Sequence, residues 1–181
     1  MKYQIIDDKT FLESKRWNPN YFTIKVDQTD FETVKIGDLC SERKNALDPQ
    51  TYQEQMFNYI GLENVESNTS MLVDFNPQPG KNIKSRSKIF KTEDILYGRL
   101  RPTLNKVYHI TEYIREGICS TEFIVLIPNT EIILPVFLRE LLLSQFVQSK
   151  VSSLIAGAAL PRINTSDLLN LNVPKVSIDK Q

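Results

Sequence analysis

Residues 117–154 read GICSTEFIVLIPNTEIILPVFLRELLLSQFVQSKVSSL, and this stretch decides the fold class. Ile118–Ile127 is β-branched and almost wholly apolar toward its end, the pattern of a buried strand. Pro135 suits the first turn of a helix, where its missing N–H costs nothing. Beyond it Leu138, Leu141, Leu142, Phe146 and Val147 fall on one broad side at helical spacing, which predicts one long helix running to about Leu154. Working backward, Ile89–Phe90, Ile95–Tyr97 and Val107–Ile110 read as short strands between polar links, and Phe57–Val65 has strand-like composition. FETVKIGDLC (31–40) reads as a short strand broken at Gly37–Asp38 into a helical turn, and DFNPQPGKN (74–82) as a turn-rich loop. Working forward, Ala156–Ala159 breaks the long helix. Asn164 or Thr165 caps a short helix, and LNVP (171–174) closes with a strand. Many short strands with one long helix late in the chain mean an α+β fold with a mixed, mostly antiparallel sheet. The expected division is an entry arm over 1–30, one domain over 31–174, and the start of a connection over 175–181.

The 181 residues suffice for one domain with a real core, and 41% apolar with 24% charged residues is the balance of a globular chain. Cys40 and Cys119 lie 79 positions apart with no CxxC pair and no histidine beside them. Neither a disulfide scaffold nor a zinc site is supported, and the expected compartment is a reducing cytoplasm. No apolar run is long enough to span a bilayer, and MKYQIIDDKT at the start has acidic residues where a leader needs basic then apolar ones.

Catalytic signatures are missing too. His109 is the only histidine and sits in a strand-like run; the sequence has no GxSxG, HExxH, GxxxxGK[ST] or GxGxxG. Glu122 is followed by Phe-Ile rather than by a lysine two positions on, so a nuclease carboxylate pair is not formed. Asn18-Pro19-Asn20-Tyr21 is similar to a base-holding loop of amino-methyltransferases, but the glycine-rich cofactor loop such an enzyme needs is absent. The expectation is a chain without catalysis and without a bound cofactor.

Charge carries the positive signal. Lys plus Arg equal Asp plus Glu at 22 each, yet residues 81–115 hold nine basic and three acidic residues, a net of +6 that leaves −6 for the rest. Such a segment attracts a polyanion locally. Within it DILYGRLRPTLNKV (94–107) is the core: an extended Leu96–Arg101 would put Tyr97, Arg99 and Arg101 on one face and Leu96 and Leu100 in the core. Pro102 then turns the chain, and Asn105 and Lys106 complete the loop. Guanidinium and amide groups on such a turn suit phosphates, guanine edges and adenine edges. If extended, Lys84, Arg86 and Lys88 would form a similar face opposite Ser85 and Ser87. Arginines paired with carboxylates of the same domain are the competing reading of these residues.

YIGLENVE (59–66), DILYGRLRPTLNKV (94–107), GICSTEFIVL (117–126) and GAALPRINTSDLLNLNVP (157–174), preceded by RWNPNYF (16–22), occur in this order. Together they resemble the target recognition domain of type I restriction-modification specificity subunits, also found in some type II restriction-methyltransferases. The resemblance implies a non-catalytic reader of double-stranded DNA that recognises one half of a bipartite site. Methyltransferase subunits, a restriction subunit, and a second recognition domain or second copy of a half-subunit would be its partners. S-adenosylmethionine, ATP and Mg belong to those partner subunits, and no membrane is involved. One recognition domain is present where a complete subunit has two, each followed by a spacer helix. The expectation is therefore an excised domain or a natural half-subunit. The DNA-binding residues expected are Lys81, Lys84, Ser85, Arg86, Lys88, Arg99, Arg101, Asn105, Lys106, Thr121 and Arg162. Those in the shared motifs are expected on phosphates, which position the protein without informing it. Base readout is expected from Lys81–Lys88, Asn58, Tyr59, Asn68 and Ser120–Thr121. The alternatives are a protein-interaction module with an acidic partner, or the DNA-reading lobe of a fused restriction-methyltransferase.

Overall fold

The computed structural model describes residues 32–155 and 160–181. The arm over 1–30 with its RWNPNYF motif, and the break at Ala156–Ala159, lie outside the described residues. In chain order, β1 (Thr33–Lys35) leads into a one-turn helix α1 (Ile36–Leu39), then β2 (Cys40–Glu42) and β3 (Ala46–Leu47). Strands β4 (Met56–Phe57), β5 (Tyr59–Ile60), β6 (Gln78–Pro79), β7 (Ser87–Phe90), β8 (Ile95–Gly98), β9 (Val107–His109), β10 (Gly117–Ser120) and β11 (Phe123–Pro128) follow. Helices α2 (Pro135–Leu143), α3 (Gln145–Leu154) and α4 (Thr165–Leu169) then lead to β12 (Asn172–Pro174). No helix among these residues is long and apolar enough to cross a membrane.

Two four-stranded sheets carry the fold. One has the order β2-β11-β8-β9 and is antiparallel throughout. The other has the order β3-β7-β10-β5, with β5 parallel to β10 and the remaining pairs antiparallel. Gly117 permits the parallel pairing, because a Cβ there would collide with the Asn58 carbonyl oxygen and press on the Phe90 ring. The two-stranded pairs β1-β12 and β4-β6 complete the pairing.

The first sheet is the middle layer, which explains its composition. Ile95, Tyr97, Ile124 and Leu126 point to one side, into a core with Leu138 and Leu142 of α2 and Val147 and Val151 of α3. Leu96, Phe123 and Val125 point to the other side, against Phe90, Cys119 and Ile60 of the second sheet. A strand covered on both faces reads as a continuous apolar run instead of an alternation. Each such aliphatic side chain taken from water contributes about 1.5–3 kcal/mol.

Three expectations need correction. Ile118–Ile127 is two strands, because the chain leaves the second sheet after Ser120 and enters the first at Phe123. Both halves hold buried apolar residues, so the polar step Ser120–Glu122 between them reads equally as part of one strand. The single long helix is also two. Ser144 takes an extended ψ of 147°, its N–H closes α2 on the Leu141 carbonyl (3.2 Å), and its hydroxyl accepts the Val147 N–H (3.3 Å) to start α3. A serine competes for backbone partners in this way where an apolar residue would continue the helix. Finally, Tyr97 does not share an outward face with Arg99 and Arg101. It is 1% exposed, and burial pushes its phenol up to about 12. The strand stops at Gly98, before either arginine.

Candidate nucleic-acid interface

Strand register divides the basic segment between the two ends of the sheets. Ser87 at the start of β7 pairs with Ser120 at the end of β10. The chain then turns at Thr121–Glu122 into Phe123, which pairs with Gly98 at the end of β8. Beyond Gly98 an isolated bridge joins Leu100 to Arg162. One end of both sheets, here called the near end, therefore gathers Lys84–Arg86, Thr121, Arg99, Arg101, Lys106 and Arg162. The far end carries Lys91 and Arg115, which with Thr92, Ile114 and Glu116 line a shallow depression of about 580 Å³. The cationic run in the sequence is thus not one strip in space.

At the near end the backbone fixes a rigid platform. Arg101 (φ 46°) and Asn105 (φ 51°) both adopt the left-handed conformation and bracket a 3-10 turn over Pro102–Leu104. Asn105 holds that turn in place. It is 5% exposed, and its amide donates to the Leu143 carbonyl at 2.9 Å and to Asn68 Oδ1 at 3.1 Å. The Leu143 carbonyl is left without a helical partner by the break at Ser144, so the split helix and the turn explain each other. The Arg101 N–H donates to the Pro161 carbonyl (2.8 Å) and the Ile163 N–H to the Arg99 carbonyl (3.0 Å), stitching the Arg162 segment alongside.

The expected site residues divide by their partners. Lys84, Ser85, Arg86, Arg101 and Thr121 are exposed, and neither Lys84, Arg86 nor Arg101 has an ion-pair partner among the described residues. Arg99 is half-buried beside Glu122, and its Nε has no hydrogen-bond partner. Arg162 forms a fork on Glu122, with Nη2 to Oε1 at 3.0 Å and Nε to Oε2 at 3.1 Å. That contact, with Arg99 and Lys88 nearby, holds the Glu122 carboxyl below the usual carboxylate range.

Four more of the expected residues have partners within the domain. Lys88 is tied to Glu42 at 3.1 Å with both side chains 15% exposed, and Thr165 donates to the same Glu42 oxygen. Lys81 pairs with Glu54 at 3.2 Å in the open. Lys106 donates to the Leu62 carbonyl at 2.7 Å, and Asn105 is the interior clamp described above. Of the residues expected to read bases, Asn58 lies at the far end with its amide on the Ile114 and Glu116 carbonyls, and Tyr59 packs on the cluster of Phe57, Ile83 and Ile118. Sequence reasoning missed Glu42, Glu54 and Glu122 as the partners of Lys88, Lys81 and Arg162. A lone acid between two apolar runs, as in STEFIVL, was the available signal.

A family model described as the type I restriction modification DNA specificity domain matches residues 28–181. The chain belongs to that family. A curated relative, the specificity subunit of the type I restriction enzyme HindI from Haemophilus influenzae, is 26% identical over 153 residues, covering 81% of this chain and 32% of its own length. The chain thus spans about a third of that relative. Two solved structures share the fold of this specificity domain. The HsdS subunit from Thermoanaerobacter tengcongensis superposes with a TM-score of 0.73 at 24% identity, over 84% of this chain and 39% of that one. A chain from a structural study of assembly and conformational transition in the type I restriction-modification system gives 0.72 at 24% identity, over 81% and 38%. The α+β architecture expected from the sequence is the architecture of this fold.

Proposed function

We propose that this specificity domain reads one half of a bipartite duplex target in a prokaryotic type I restriction-modification system, and that it carries out no chemistry itself. The observation that supports the reading is the near end: Lys84, Arg86, Arg99, Arg101 and Arg162 on ends of paired strands, around a turn locked by two left-handed residues. Phosphates are met best by guanidinium groups on a rigid frame, since their fork matches two phosphate oxygens at once. Arg99, Arg101 and Arg162 take the phosphate role. Lys84–Arg86 and Thr121, exposed and outside the hydrogen-bonded frame, take the reading role in a groove. Delivery of the site to methyltransferase and restriction subunits, which would hold S-adenosylmethionine, ATP and Mg, completes the proposal. A second recognition domain, or a second copy, would read the other half of the target.

Charge reversal tests the placement. Arg86→Glu with Arg101→Glu at the near end is expected to weaken duplex binding by roughly tenfold or more at about 0.1 M salt. Lys91→Glu with Arg115→Glu at the far end is expected to leave it within about twofold, since exposed charges beyond a Debye length are screened. Equal losses from both pairs would contradict a near-end interface. Selection from a random duplex pool should enrich one short sequence.

A further inference from the structure

Glu122 stands out at a surface proposed to face phosphates, because a carboxylate there repels the ligand. It is not a stray acid. Its carbonyl accepts the Arg99 N–H at 2.8 Å and its N–H donates to Ser120 Oγ at 3.2 Å, so its backbone is fixed in the turn between the two sheets. Its side chain is 28% exposed and engages Arg162, itself 42% exposed, through both carboxylate oxygens. An arginine fork binds a carboxylate and a phosphate with the same geometry. Glu122 therefore occupies on Arg162 the place a DNA phosphate would take.

We propose that Glu122 is a resident phosphate mimic that withholds Arg162 from non-specific DNA and so sharpens discrimination between sequences. The inference rests on the proposed near-end interface. Replacing one anion by another on Arg162 gains little, and Glu122, anchored by its backbone, stays close enough to repel the incoming phosphate. A duplex held only by charge meets Lys84, Arg86 and Arg101, which are unrestrained, and leaves the Arg162 fork closed. A duplex also held by base contacts is drawn in far enough for a phosphate to displace the carboxylate. Arg99, whose Nε has no partner, is the second guanidinium beside that exchange. Specificity gained by repelling the wrong complex is a general device in recognition. A purely structural role makes the opposite prediction, since loss of the Arg162 tether would loosen the platform and weaken all binding.

The test uses the 181-residue chain, a random-sequence duplex pool and a duplex carrying the sequence enriched from that pool. Glu122→Gln and Glu122→Ala are compared with the wild type; Gln keeps the shape and one acceptor, and Ala serves if Gln does not fold. Both variants are expected to bind the pool roughly threefold more tightly, with the slope of log K against log[salt] steeper by about 0.9. The ratio between enriched duplex and pool is expected to fall. Should the wild type show a steep salt slope and an enriched site while neither variant gains affinity for the pool, the mimic is overturned and the interface stands. A wild type with a flat salt response or no enriched sequence removes the interface and the mimic together.

Discussion

The chain passes between the two four-stranded sheets four times, and two of those passages, β7 to β8 and β10 to β11, each hold one acid clamped by one arginine. At the far end, Asp94 before β8 accepts from Arg43 Nε at 2.7 Å and Nη2 at 3.0 Å, and also from the Lys91 N–H at 2.8 Å. At the near end, Glu122 before β11 accepts from Arg162. The chemistry is the same and the surroundings differ: the side chains are 2% and 18% exposed at Asp94–Arg43, against 28% and 42% at Glu122–Arg162. A pair buried that deeply cannot trade partners without leaving a charge in the core. A half-open pair can. The far crossing therefore fixes how the sheets meet, while the near crossing presents charge that a ligand can reorganise.

The largest consequence lies at the far crossing. Asp94→Ala strands the Arg43 guanidinium and the Lys91 N–H, and is expected to lower unfolding free energy by about 3–5 kcal/mol in a urea titration. A loss no greater than that of an exposed pair would erase the contrast. Next comes Asn105, which lies near the proposed interface but is buried. Asn105→Ala is expected to cost about 1–3 kcal/mol, and Asn105→Gly less than Ala because φ is positive there. Burial, not nearness to the interface, then governs stability. Arg101→Ala should change stability by no more than about 0.5 kcal/mol. Filter-binding titrations should show it weakening all duplexes alike, with the salt slope shallower by about 0.9. A selective loss on the enriched sequence would make Arg101 a base reader.

The smallest effect is in acid. Arg162 depresses the Glu122 carboxyl in the folded state, so the stabilisation is present above the ordinary carboxyl value of 4.5 and is lost as pH falls through the lower folded value. So open a pair contributes little. Melting curves from neutral pH down through this range should therefore separate wild type from Glu122→Gln by a small gap that closes in acid. A gap that widens in acid would contradict the assigned sign.

The parts legible in the sequence were those in which local pattern and burial agree. The apolar run of β11, Pro135 at the start of α2, and the short helix and strand over 165–174 all follow from nearest neighbours along the chain. The change of sheet at Thr121–Glu122 did not, because a polar step flanked by buried apolar residues also occurs within a single strand, and only tertiary register separates the two cases. The charges were legible as residues but not as pairs. Lys88 with Glu42 and Arg162 with Glu122 join positions 46 and 40 residues apart, and such pairing is decided by which strands lie side by side. Asn105 is ambiguous in the sequence for a related reason: an amide suited to an adenine edge suits two carbonyl-type acceptors equally well, and the break at Ser144 supplies one.

Salt dependence of wild-type duplex binding reports on whether the near end meets the DNA backbone. With Arg99, Arg101 and Arg162 on phosphates, log K against log[salt] should fall with a slope of roughly −3, and nearer −2 if Arg162 stays on Glu122. A slope near zero would mean that the near end does not meet DNA backbone, and the account built on it would fail.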